Sequence, residues 1–288
     1  MADSAPAGKT KVTLTGAQKT LLLTLYSKHY DNTHAPDPIL SDKWATHVFD
    51  QIDFDFSTLG IRASFCAYVS LRAYWLDQWA VEFLDAHKDS PAGATVLHLA
   101  CGLDARSLRL QDRYEANPKI RWVDVDVPEV ADLRRKVLPD PKGDYTLLGT
   151  DVSDNTWLER VPNDRPTLVI MEGLTLYLTE EEGHKLLRSL VERFPQGGQI
   201  IFDAFSTWAI WVQNYTGPVQ NTGAKLHWGI DDPRALLKLH ERLKLLDEQS
   251  AIDLPGTEKY PWWARYPVYV CAYVPWVRYV VRYLRYGF

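Results

Sequence analysis

The residues best placed to do chemistry stand where short apolar runs end. Leu97-His98-Leu99-Ala100-Cys101-Gly102 passes from apolar to small residues, and Asp104 and Arg106 follow. A buried strand that turns through small residues into a helix lets a nucleoside or carboxylate approach the backbone, which makes Gly102 a candidate ligand contact. The same pattern also serves as a plain tight turn. About 20 residues further on, the spacing at which a nucleotide fold places its ribose acid, a second run ends in Asp124-Val125-Asp126. An acid there can accept both ribose hydroxyls, so Asp126 is the candidate ribose ligand. Capping of the helix opened by Pro128-Glu129 is the alternative.

A dinucleotide would need a three-glycine turn for its pyrophosphate, and Ala100-Cys101-Gly102 does not supply one. S-adenosylmethionine carries no phosphate and escapes that objection. No metal, serine-nucleophile, phosphate-loop or deaminase spacing occurs, so no metal is implied. Cys101 lacks a basic partner and reads as a small filler rather than a nucleophile.

These groups must be positioned by a fold, and 288 residues at 46% hydrophobic and 24% charged can bury one large core. A net charge of −5 excludes a general attraction to phosphate backbones or anionic lipids, so neither nucleic acid nor membrane is an expected partner. The three cysteines are far apart and unpaired in pattern, no apolar run reaches the roughly 18 residues of a membrane span, and the N-terminus lacks a signal-peptide core. The chain reads as cytoplasmic.

Residues 1–12 lack periodic apolar positions and read as a disordered tail. Residues 13–90 read as an N-terminal helical cap, with helices expected over 14–30, after Ser41 or Asp42, and over 61–87, where Leu71, Trp75, Leu76, Trp79 and Phe83 form a stripe. From Pro91-Ala92-Gly93 onward, strands at 95–99, 120–125, 145–148, 167–171 and 199–202 alternate with helices at 130–138 and 180–194. That alternation predicts a doubly wound, mostly parallel α/β sheet over 91–288. Residues 206–229 read as a substrate-side insertion, and 276–286 as a helix docked on the domain, with a membrane-surface helix as the other reading.

Three ordered segments carry a family resemblance. Gly102-Leu103-Asp104-Ala105-Arg106, with Leu99-Ala100-Cys101 before it, resembles a Gly-x-Gly-Leu-Asp-Thr-Arg motif. Trp122-Val123-Asp124-Val125-Asp126-Val127-Pro128 resembles a Glu-x-Asp-x-Pro motif, and Glu172-Gly173-Leu174-Thr175-Leu176-Tyr177-Leu178 resembles a Glu-Gly-x-x-x-Tyr-Leu segment. Together they are similar to the leucine carboxyl methyltransferase family, in its polyketide and natural-product branch. The resemblance implies a Rossmann-like fold and S-adenosylmethionine as cofactor. It further implies that Arg72, with Lys28 as a second cation, takes the methionine carboxylate, that Asp151 and Val152 contact adenine, and that Glu172 lies near the cofactor. Ala100, Ala105 and Asp124 depart from the family pattern, and Ala100 adds a methyl where the backbone can require positive φ.

The function expected is O-methylation of a carboxylate or phenol on a small-molecule acceptor; protein C-terminal carboxyl methylation and a non-catalytic cofactor-binding scaffold are the alternatives. A carboxylate is already ionised at neutral pH and needs no general base, whereas a phenol benefits from one. No catalytic base is assigned, although His34 and His227 stand in expected loops. Trp208, Trp211, Tyr215, Trp228, Trp262 and Trp263 could wall an apolar pocket. The sequence fixes no oligomeric state.

Overall fold

A computed structural model describes residues 8–12, 16–216, 218–260, 262–263, 265, 270 and 273–288. Two short strands, β1 (Thr10–Lys11) and β2 (Ile52–Asp53), pair in parallel, so the expected tail ends in a structured contact; residues 1–7 lie outside the described part. Helices occupy much of residues 13–90: α1 (Thr20–His34), α2 (Lys43–Gln51) and α3 (Ala63–His87). The Asp42 carboxylate caps α2 by accepting the Trp44 and Ala45 amides.

The central sheet contains β3 (Ala94–Leu99), β4 (Ile120–Asp126), β5 (Asp144–Gly149), β6 (Thr167–Met171), β7 (Gly198–Phe205), β8 (Lys244–Ser250) and β9 (Val281–Gly287). Their order is β5-β4-β3-β6-β7-β9-β8, parallel except that β9 runs antiparallel between β7 and β8. The chain winds one way from β3 through β4 to β5 and then crosses back to β6, so the topological switch lies between β3 and β6. Ligands of open α/β sheets bind outside the carboxyl ends of the strands at such a point.

Strand alternation sorts the core onto two faces. Leu97, Val123, Val169 and Ile200 pack with Leu186, Leu190 and Val191 of α6 (Glu180–Arg193), whereas Val96, Trp122, Ile170 and Ile201 pack with Leu76, Trp79 and Phe83 of α3. Thr179 and Glu182 form a capping box that starts α6. Further helices are α4 (Arg106–Arg109), α5 (Pro128–Val137), α7 (Thr207–Tyr215), α8 (Pro218–Thr222) and α9 (Pro275–Arg278).

The C-terminal expectation is corrected. Only Pro275–Arg278 is helical, and Val281–Gly287 is a strand with a backbone partner on each side. The run Val281-Arg282-Tyr283-Leu284-Arg285-Tyr286 is β-branched and aromatic, suits a pleated surface, and completes the ladder that β7 and β8 would otherwise leave open. Its arginines bond within the fold: Arg282 reaches Glu248 at 3.1 Å and Arg285 reaches Glu82 at 2.5 Å. The strand β8 went unread because its Lys244, Asp247 and Glu248 follow an edge strand's exposure rather than an apolar run.

Gly183 of α6 lies against the buried Trp228 ring, and a Cβ there would stand 2.0 Å from Cζ3. Gly183→Ala is therefore expected to destabilise the protein by about 1–3 kcal/mol in urea unfolding, the usual cost of overpacking. An unchanged midpoint would mean that the indole has room to move.

Candidate active site

A cavity of about 280 Å³ opens beyond the carboxyl ends of β3 to β6, and all seven candidate residues line it. Lys28 comes from α1, Arg72 from α3, Gly102 from the turn after β3, Asp126 from the end of β4, Asp151 and Val152 from the loop after β5, and Glu172 from the end of β6. The turn after β3 needs left-handed backbone at Ala100 (φ 49°) and Gly102 (φ 55°). Glycine adopts that region freely, whereas alanine holds it at a cost of about 1–2 kcal/mol.

Asp126 fixes this turn. One carboxylate oxygen accepts the Gly102 amide at 2.6 Å and the other accepts the Val127 amide at 2.8 Å. Burial pushes its carboxyl above the usual range, against these two amides. A carboxylate has roughly four lone-pair directions, so about two remain for ribose hydroxyls. The capping alternative is not met, because α5 starts from Val127 with no side-chain cap; Asp126 instead organises the turn after β3 and keeps capacity for a ligand.

The basic residues are already engaged with acids. Arg72 donates to Glu172 from Nε (3.2 Å) and Nη2 (3.1 Å), and to Asp203 from Nη1 (3.0 Å). It does not pair with Asp77, which instead accepts from Arg106 and Arg109. Lys28 stands 3.1 Å from Asp104 and 3.7 Å from Glu172. Arg106 reaches the second Glu172 oxygen at 2.5 Å. Burial opposes charge throughout this cluster, but Lys28, Arg72 and Arg106 hold the Glu172 carboxyl down to about 2, and Asp203 and Glu172 keep Arg72 charged, above the ordinary arginine range. Asp203 is raised by its burial, more than Arg72 and the Gly173 amide offset. A guanidinium has five donors and an ammonium three. Arg72 and Lys28 therefore retain N–H groups with which to take a ligand carboxylate.

The cavity wall carries four carboxylates, Asp104, Asp126, Asp151 and Glu172, against the two cations Lys28 and Arg72. That excess of acid suits a ligand bearing net positive charge, as the sulfonium and ammonium groups of S-adenosylmethionine do.

Several expectations fall elsewhere. Trp208, Trp211, Tyr215, Trp262 and Trp263 are exposed and Trp228 is packed against α6; none of the six lines the cavity. Their number suggested a wall, but the buried side of α7 is formed by Ala209 and Ile210. The apolar lining comes instead from Phe65, Val69, Leu176, Phe205, Val219 and Leu226. Tyr177 both lines the cavity and packs against the cap core, and its raised phenol reflects burial. His34 stacks on Tyr30 and His227 is exposed, and neither reaches the cavity. Cys101 is buried, with a thiol pushed well up by that burial, as a filler would be.

Sequence reasoning quoted Asp104 and Arg106 without giving them roles, and it missed Asp203 and Arg134. Asp203 was legible as a lone acid inside Ile200-Ile201-Phe202-Asp203-Ala204-Phe205, where burial of a carboxylate requires partners. Arg134 of α5 donates to the Gly102 and Asp104 carbonyls and to Asp124, and no local pattern announced it.

A doubly wound sheet with a glycine turn and an acidic strand end at its switch point defines a nucleoside-binding α/β protein. Comparison with known proteins gives the class. The leucine carboxyl methyltransferase profile matches residues 29–191. The tetracenomycin polyketide synthesis O-methyltransferase TcmP of Streptomyces glaucescens is 38% identical over 96% of this chain and 98% of its own. The S-adenosyl-L-methionine-dependent methyltransferase dpfgK of Gibberella zeae is 37% identical over 86% of this chain and 89% of its own. A solved DUF574 family protein from Streptomyces avermitilis shares the fold at a TM-score of 0.57 and 12% identity, over 91% of this chain and 96% of its own. The chain belongs to the leucine carboxyl methyltransferase family and is an S-adenosylmethionine-dependent methyltransferase.

Because the folded Glu172 carboxyl is held down, its ion pairs contribute stability above its ordinary value of 4.5 that is lost as pH falls through about 2. Glu172→Gln is expected to cost about 3–5 kcal/mol at neutral pH, as for a broken buried pair. The variant should also lose less further stability than wild type across that acid interval. Parallel acid limbs in denaturant titrations at stepped pH would contradict this.

Proposed function

We propose that the enzyme methylates a carboxylate oxygen of a small, planar aromatic acceptor in the synthesis of a polyketide-like natural product. The observation that carries this reading is the apolar lobe of the cavity. Phe65, Val69, Phe205, Val219 and Leu226 line it, and His98, the histidine among the described lining residues, is engaged with Arg106 and Asp124 and is not free to act as a base. A carboxylate acceptor is ionised at neutral pH and needs no such base. The similarity to an O-methyltransferase of tetracenomycin polyketide synthesis supports a small-molecule acceptor. α8 contributes Val219 to the lining and is tied to the turn at Phe56–Leu59 by Asn221, which donates to the Leu59 carbonyl at 3.2 Å.

S-adenosylmethionine, when bound, supplies a methyl group already activated on a sulfonium. The protein's own task is then to hold, align and keep dry. In this reading Arg72 and Lys28 take the cofactor carboxylate, Asp126 the ribose hydroxyls, and Asp151 and Val152 the adenine. Glu172 holds both cations in place and lines the same end of the cavity. The apolar lobe excludes water and aligns the acceptor oxygen, which is where most of the rate enhancement for such a displacement arises.

Calorimetric titration with S-adenosylhomocysteine, with NAD as control, tests the cofactor contacts. Arg72→Ala and Asp126→Ala should each weaken binding by about 1.5–3 kcal/mol, the range for a lost charged hydrogen bond. Unaltered affinity in folded variants would remove those residues from the site.

A further inference from the structure

We propose that Tyr68 orients the acceptor, its hydroxyl donating a hydrogen bond to the carboxylate of a planar aromatic acid seated in the apolar lobe. This rests on the functional reading above and assigns a residue to the acceptor side of the site. Tyr68 stands one helical turn before Arg72 on α3 and lines the cavity. The Arg72 guanidinium lies 5.9 Å from its ring centroid, and its ring meets Phe205 edge-on at 6.5 Å. It therefore sits where the charged end of the cavity gives way to the apolar lobe.

The hydroxyl oxygen is enclosed, and no hydrogen bond of normal geometry serves it among the described residues. The adjacent Arg72 can only give an N–H to that oxygen, which leaves the hydroxyl hydrogen without an acceptor. A buried donor in that condition is costly unless a ligand completes it. Ser70, Thr95 and Tyr283 also bury unpartnered hydroxyls, but none of them lines the cavity. Desolvation raises the Tyr68 phenol, so it remains a proton donor at neutral pH rather than a base. An enclosed donor beside a fixed cation, on a ring that lines the cavity, matches an anionic oxygen carried on a flat ring.

The test is binding rather than turnover. Anthraquinone-2-carboxylate is titrated calorimetrically into protein saturated with S-adenosylhomocysteine, beside 2-methylanthraquinone, which keeps the ring and lacks the carboxylate. Tyr68→Phe should weaken the acid by about tenfold or more, as for a hydrogen bond to a charged group. It should leave 2-methylanthraquinone and S-adenosylhomocysteine binding unchanged. Equal affinity for the acid, or an equal loss for S-adenosylhomocysteine, overturns the assignment. If wild type binds S-adenosylhomocysteine but not the acid, the acceptor class is wrong; if it binds neither, the underlying functional reading fails. Tyr68→Leu serves as the second variant should the phenylalanine protein fail to fold.

Discussion

Glu172 is the point through which the rest of the structure is tied. It directly follows β6, and its two oxygens meet Arg72 from α3, Arg106 from the start of α4 and Lys28 from α1. A lone carboxylate in that place would be too costly to bury, so the helical cap is held to the sheet by electrostatic need as well as by packing. The network spreads outward from there. Arg106 continues to Asp77 and His98, Arg109 joins Asp42, Asp77 and Asp104, and Arg72 passes to Asp203 on β7. Residues distant in sequence are thus fixed around one cavity before any ligand arrives, which is the preorganisation that a positioning enzyme requires.

The turn after β3 is held from both sides. Asp126 grips the Gly102 amide, and Arg134 grips the Gly102 and Asp104 carbonyls while pairing with Asp124 at 2.8 Å. This explains how Ala100 is tolerated in left-handed backbone. The strain is local, and the contacts that determine the turn do not depend on the residue at position 100. It also explains why aspartate suffices at 124: its oxygens accept from Trp122, Ser107, Tyr145 and Arg134, all within the reach of the shorter side chain.

Much of the parallel sheet was legible because its inner strands β3, β4, β6 and β7 are buried on both faces and read as apolar runs, and because acids stand at strand ends. Of the candidate site residues, Gly102 and Asp126 were legible from the strand ends, whereas Lys28, Arg72, Asp151, Val152 and Glu172 were reached through family resemblance rather than through any local pattern. What escaped was decided by long-range pairing. Val277, Val280, Val281 and Leu284 have a helix-like spacing, yet two open neighbouring strands make Val281–Gly287 a strand. The tryptophans escaped in another way: their number suggests a pocket wall, but for Trp208 and Trp211 the turn of α7 decides which side chains face inward, and those are Ala209 and Ile210.

The central claim is that one preassembled charged cavity at the switch point receives S-adenosylmethionine, with Arg72 and Lys28 at its carboxylate and Asp126 at its ribose. A crystal structure of the protein grown with S-adenosylhomocysteine tests this most directly. The account predicts the ligand across the Gly102 turn, its carboxylate on Arg72 and Lys28, its ribose hydroxyls on Asp126, and the Glu172 network intact. A ligand bound elsewhere, or one that must break the Arg72–Glu172 pair to enter, would contradict it.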